Sequence, residues 1–140
     1  MHDFAAHHAM KMPLQRRYLA REQFQRQISA LQDGVLEMGS MVERAMDRAM
    51  QALMDRDVEL ARSVIEDDRD INAIGFHLQN ACISLIAHQA PMAGDLRVIV
   101  SVTAIMSDLE RMGDHAEGIA RRSTKGRARS ERSREIVTEV

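Results

Sequence analysis

Cysteine occurs once in these 140 residues, proline twice and tryptophan not at all; three phenylalanines and one tyrosine are the whole aromatic complement. The single Cys82 excludes an intramolecular disulfide framework and a multi-cysteine zinc site, and suits a reducing compartment. Few aromatics and only seven glycines argue against a sandwich or barrel, which needs aromatic and β-branched strands punctuated by turns. No apolar run approaches the roughly 20 residues of a membrane span; the longest, Val98 to Met106, is broken by Ser101 and Thr103. The first 13 residues lack the apolar core of a signal peptide, so a cytoplasmic location is expected. Also missing are a glycine-rich phosphate loop, Glu-x-x-His and His-Glu-x-x-His, which removes three common enzymatic readings. No nucleophile–base set is legible, and the expectation is a protein that is not an enzyme.

What is present is helix-forming: alanine, methionine, leucine, arginine and glutamate dominate a chain that is 45% apolar and 29% charged. Phe24, Ile28, Leu31, Val35, Met38, Val42, Ala45, Ala49 and Ala52 follow one another by alternating steps of four and three, a seam of over four heptads. Met41, Met46, Met50 and Leu53 widen it. Gly34 and Gly39 each cost about 1 kcal/mol in a helix interior, which close approach of a neighbour would offset. Asp55-Arg56-Asp57 ends this helix, and Asp55 or Asp57 can cap a second, over about 58–87. Its seam is Val64, Ile71, Ile74, Leu78, Ala81 and Leu85, with Asp67 where an apolar residue is due. A flanking line of Ala61, Ile65, Gly75, Cys82 and Ile86 is interrupted by Asp68 and Asn72. Gln89-Ala90-Pro91 is a second break, with Pro91 suited to a first helical position. The third helix should span about 92–122, with Leu96, Ile99, Val102, Ile105 or Met106, Leu109, Met112, Ala116 and Ile119 inward. Short connections make neighbours antiparallel. The expected fold is all-α: an up-down-up three-helix bundle of long antiparallel helices over residues 19–122, between a flexible leader, 1–18, and a basic polar tail, 123–140.

The third helix carries the strongest chemical signal, Leu109-Glu110-Arg111-Met112-Gly113-Asp114-His115. Glu110 and Asp114 share a face at i, i+4; Glu117 continues it, with Thr103 and Ser107 behind. Like charges at that spacing repel by a few tenths of a kcal/mol, so the stripe asks for a counter-charge. A hard cation is one answer; oxygen donors favour magnesium, manganese, calcium or ferric iron. Pairing with Arg111, Arg121 or Arg122, or exposure to water, is the other. In an antiparallel hairpin Asp68 and Asn72 come level with Glu110 and Asp114, unless Asp68 belongs to the solvated run Glu66–Asp70. His77, His88 and His115 are weak ligand candidates; Cys82 and the methionines read as core packing. Charge is uneven: residues 1–120 hold 12 basic and 18 acidic groups, and residues 121–140 hold 7 and 3. A short basic tail on an acidic body reads as a solvated terminus, and nucleic acid is not expected as a partner.

Met38-Gly39-Ser40-Met41-Val42-Glu43, Leu60 to Asp68 followed by Ile71-Asn72, Gln89-Ala90-Pro91-Met92-Ala93-Gly94-Asp95-Leu96-Arg97, and Leu109 to Asp114 together resemble the PhoU family, the phosphate-uptake and phosphate-signalling regulators of bacteria and archaea. The resemblance covers about residues 20–122. It implies one copy of a three-helix bundle that the family carries twice, so the chain is expected to be a fragment, a truncated relative or a domain that works as an oligomer. It further implies a non-enzymatic negative regulator connecting the ATPase of the phosphate ABC transporter with a sensor histidine kinase, and meeting the membrane only through partners. The implied cofactor is a multinuclear metal cluster (iron, or magnesium, manganese or zinc). Its implied ligands are Glu110 and Asp114, with Asp68 and Asn72 as the second-helix counterpart and Glu117 beside them; Gly75 stands where the family often has Glu. The alternative is a carboxylate-rich helical metal-binding protein without a signalling role. Apolar surface beyond what one core can cover predicts a homodimer, with first-helix methionines at its interface.

Overall fold

The computed structural model describes residues 14–138, and they form three helices: α1 (Leu14–Asp55), α2 (Val58–Gln89) and α3 (Ala93–Thr138). Each packs on the other two. Leu78 of α2 lies over Gly34 of α1 while Arg48 meets Asp67, so α1 and α2 are antiparallel. Asp95 at the start of α3 meets Arg21 and Gln25, and Ser123 near its far end reaches the Ala52 carbonyl, so α3 runs parallel to α1. The architecture is the expected up-down-up bundle.

All nine residues of the first-helix seam are buried, from Phe24 to Ala52. In α2 the buried stripe, Ala61, Val64, Ile71, Gly75, Leu78, Cys82 and Leu85, passes between the two expected lines, leaving Ile74 half-buried and Ala81 exposed. A straight α-helix drifts about 20° per heptad, which moves the stripe from one line to the other. In α3, Met106 rather than Ile105 turns inward, Gly113 is buried where Met112 was expected, and Leu96 is exposed. The methionines divide: Met38 and Met106 are core, Met41 and Met46 pack on its edge, and Met50, Met54, Met92 and Met112 are exposed. Leu78 explains Gly34, because a Cβ there would overlap its side chain; Gly39 has no such neighbour within 4 Å, so close approach does not account for it.

The turns are built locally. Arg56 has φ of 54°, and the Asp57 amide donates to the Ala52 carbonyl at 3.0 Å, a left-handed C-terminal motif that stops α1. Asp57 then caps α2, its carboxylate accepting from the Leu60 amide at 3.0 Å. Ala90, at φ 43°, ends α2. Pro91 precedes α3 instead of opening it, since the first helical bond runs from the Leu96 amide to the Met92 carbonyl. Two helices exceed expectation. α1 begins at Leu14, so Leu14 to Tyr18 are helical and the rest of the expected leader lies outside the described residues; α3 continues through the expected tail to Thr138. Their 42 and 46 residues correspond to about 63 and 69 Å. Among the described residues, no helix is long and apolar enough to cross a membrane.

Candidate functional site

The acidic stripe of α3 faces α2, and two glycines set how closely. A Cβ on Gly113 would lie 3.4 Å from Ile71 Cγ2 and 3.6 Å from Asp68 Oδ1, so the residue between the acids makes room for the neighbouring helix. A Cβ on Gly75 would sit 2.7 Å from Glu110 Oε1 and 3.3 Å from Met38 Cε. The Glu110 carboxylate thus folds over α2 into the space that a longer side chain at position 75 would occupy. One turn away, Asn72 Nδ2 donates to Asp68 Oδ2 at 2.8 Å, while Asp68 Oδ1 is buried with no hydrogen-bond partner.

That orphaned oxygen is the most telling polar atom of the bundle. Burial pushes the Asp68 carboxyl above its usual range; the charges of Glu117 and Asp114 push the same way, and only the Asn72 bond and Arg121 oppose them. Four of the five sequence-predicted residues, Asp68, Asn72, Asp114 and Glu117, therefore share one electrostatic neighbourhood, with Glu110 turned toward Gly75 beside it. Counter-charge is partly supplied from within: Arg121 pairs with Glu117 one turn on. Arg111 pairs with Asp108 at 2.8 Å, on the exposed side, and Asp114 is exposed. Among the described residues, no three His, Cys, Asp or Glu side chains come together as a group able to hold a metal ion. The donor set is nonetheless all oxygen, and one oxygen of its central carboxylate lacks a partner, which fits a hard cation that retains water better than a closed protein cage.

The histidine candidates, His77, His88 and His115, are all exposed. His88 Nδ1 lies 2.9 Å from the Ser84 carbonyl within its own helix, and His77 is edge-on to Phe76. Cys82 is a buried core side chain, and that burial pushes its thiol up.

Besides the Ser123–Ala52 bond, two polar ties between helices fall outside the predicted set. Arg48 crosses from α1 to pair with Asp67 and donates to Ser63 Oγ at 2.6 Å; Ser63 passes the bond to the Leu60 carbonyl at 2.7 Å. The signal for it was an acid in an apolar seam, since such an acid needs a cation from the facing helix. Asp95 accepts from Gln25 at 3.3 Å and lies 3.7 Å from Arg21, holding the start of α3 on α1.

A family model described as the PhoU domain matches residues 35–123. The chain is 42% identical over 98 residues to a phosphate-specific transport system accessory protein PhoU homolog of Aquifex aeolicus, covering 70% of this chain and 44% of that protein. It is 37% identical over 102 residues to the Pseudomonas aeruginosa homolog, covering 73% and 42%. It is 35% identical over 99 residues to the Escherichia coli phosphate-specific transport system accessory protein PhoU, covering 71% and 41%. The chain spans less than half the length of these relatives. Matched by the family model over more than half of its residues, and by these proteins at 35–42% identity, the chain belongs to the PhoU family.

Proposed function

We propose that this chain is a regulatory accessory of phosphate uptake, acting in the cytoplasm as an adaptor between the ATPase of a phosphate ABC transporter and a sensor histidine kinase. The observation that supports it most is the match, across all three helices, to proteins named for the phosphate-specific transport system. In this reading the chain catalyses nothing. It changes which partner conformation is populated, and that requires unequal affinity for two partner states. A bundle tied across its helices by Arg48–Asp67, Asp95–Gln25 and Ser123–Ala52 suits the role, because it presents its outer faces in one geometry. Pull-down with the immobilised chain tests it. Retention of both the ATPase and the cytoplasmic region of the kinase is expected, and retention of neither would overturn it.

A cation belongs to the same proposal. Asp68 and Asp114 would bind it, with retained water completing its shell, Asn72 orienting Asp68, Glu117 paired with Arg121 and Glu110 in reserve over Gly75. When bound it supplies positive charge to a face that otherwise repels itself. Magnesium or manganese with retained water suits this oxygen set; a multinuclear iron or zinc cluster would need ligands from a second bundle. A carboxylate metal protein without a signalling role is the second reading, favoured by the orphaned Asp68 Oδ1. Metal content after native purification, together with the pull-down, separates the two. Pairing of two copies is the last element. Met50 and Leu53 remain exposed on α1, and Leu36 and Ile105 flank an apolar groove of about 490 Å³ between α1 and α3. Light scattering that gives a monomer at micromolar concentration would refute pairing.

A further inference from the structure

The two ends of the bundle differ. α1 starts well before its neighbours: Gln25 is level with Asp95, the third residue of α3, so about ten residues of α1 overhang by roughly 15 Å. Around this overhang the helix ends expose Leu14, Tyr18 and Leu19 from α1, Ile83 and Ile86 from α2, and Met92 from the turn. Leu14 and Met92 are 82% and 74% accessible, which core packing does not explain.

Charge singles out the same end. Residues 14–26 and 83–100 carry five arginines (Arg16, Arg17, Arg21, Arg26 and Arg97) against Glu22 and Asp95. Both acids are engaged, Glu22 by Arg26 and Asp95 by Arg21 and Gln25. From there to the α1–α2 turn, residues 27–82 and 101–120 carry 15 acidic and 6 basic groups. An anionic surface therefore repels the waist of the bundle and attracts this end. The opposite end also exposes Leu53 and Met54, but beside the acids Asp55, Asp57 and Glu59 of the α1–α2 turn, and the basic residues of α3 lie beyond them, past Ser123.

From this juxtaposition we propose that the α1 overhang and the α2–α3 turn form a docking surface for an anionic lipid bilayer. The exposed side chains stand on separate helix ends and in the turn between two of them, so they suit a deformable surface better than the rigid face of a protein. Leucine, tyrosine and arginine together are the composition of an interfacial contact: leucine enters the acyl boundary, tyrosine sits at the headgroups, and arginine meets lipid phosphate. Neither signal suffices alone, since stable attachment needs apolar insertion and electrostatic attraction together. The inference adds a direct lipid contact to the adaptor reading and does not rest on it.

Tyr18 makes the test direct. It is the one tyrosine, and with no tryptophan in the chain its emission reports on this end alone. The full chain is mixed with phosphatidylcholine vesicles with or without phosphatidylglycerol, then sedimented, and Tyr18 quenching by acrylamide is followed. Binding to the anionic vesicles only, shielding of Tyr18, and release as salt shortens the Debye length toward about 3 Å are expected. Arg16→Glu with Arg17→Glu should weaken binding at least about 20-fold, at about fivefold per arginine removed, with helicity by circular dichroism unchanged. Leu14→Asn with Tyr18→Ser should weaken sedimentation as well, whereas Lys125→Glu at the far end should leave Tyr18 shielding intact. Equal binding to neutral vesicles, no binding, dependence on Lys125 in place of Arg16 and Arg17, or self-association through this end without lipid would each overturn the proposal.

Discussion

Replacing Asp68 with Asn should stabilise the metal-free protein at neutral pH. Asp68 has one oxygen satisfied by Asn72 and one buried oxygen satisfied by nothing, and two further carboxylates act on it. An asparagine can keep its carbonyl on Asn72 and turn its amide toward Asp114 and Glu117, converting repulsion into donation. A buried unsatisfied polar group costs about 1–3 kcal/mol. Asp68 is only half-buried, so solvent screening argues for the lower end, about 1 kcal/mol, or roughly 3 °C in Tm for a chain of this size. The pH dependence follows from the raised carboxyl. Between the usual value of 3.8 and the higher native value, the native state holds a proton that the unfolded state has lost. The wild-type chain therefore loses stability as pH rises through that window, and the penalty is complete above it. The advantage of Asp68→Asn should be full at pH 7, shrink as pH falls toward 3.8, and vanish below it, where wild-type Asp68 is protonated in both states. Thermal circular dichroism of both proteins in chelator, from pH 7 downward, measures it. A variant less stable at pH 7, or a difference that ignores pH, would show that Asp68 Oδ1 is not the strained group argued here.

Four other outcomes follow from single contacts. Arg56→Gly should raise stability by about 0.5–1 kcal/mol, seen as a higher urea midpoint, because arginine holds a left-handed position that glycine occupies at no steric cost. Arg48→Ala should cost about 1 kcal/mol by leaving Asp67 without its cation, and a double-mutant cycle with Asp67→Asn should recover most of the loss. Gly34→Ala should destabilise by about 1–3 kcal/mol because the buried Leu78 must move, whereas Gly75→Ala should be nearly neutral, since the flexible end of Glu110 can swing away. Glu110→Gln with Asp114→Asn should retain helicity while abolishing any rise in Tm on adding manganese; an unchanged manganese response would remove these acids from the cation proposal.

The bundle was legible because its information is local and repeated. A step of four and three sustained from Phe24 to Ala52 leaves one way to bury nine side chains, and all nine are buried. α2 and α3 were read less sharply because two adjacent lines were apolar in each, and a choice such as Ile105 or Met106 depends on where the other helices lie. Helix ends were the weakest point. Leu14 to Tyr18 and the mostly polar residues past Ser123 lack a seam, and periodicity reports only a helix that has something to pack against. Both continue as helix because nothing interrupts them: no proline or glycine falls between Leu14 and Phe24, and Gly126 alone does not stop α3.

The site shows a different limit. Spacing placed Glu110, Asp114 and Glu117 on one face, and hairpin geometry brought Asp68 to their level, but neither could give the rotamer of Glu110 or the orphaned Asp68 Oδ1. Those depend on what stands at positions 75 and 113, two glycines whose effect is to admit a neighbour. At Gly113 the neighbour is Ile71 with Asp68 Oδ1, and at Gly75 it is the Glu110 carboxylate. With a longer acid at position 75, Glu110 would lose its resting place over α2 and be driven toward Asp114, concentrating charge on the outer face. The glycine does the reverse: it lets one acid withdraw from the stripe, and Arg121 offsets another. In the cation reading proposed above, Asp68 with Asp114 is what remains for a divalent ion, a pair that would attract it without enclosing it. The residue at position 75 therefore controls how many carboxylates this face presents, and Gly75→Glu is the substitution expected to strengthen cation binding at the cost of stability in chelator.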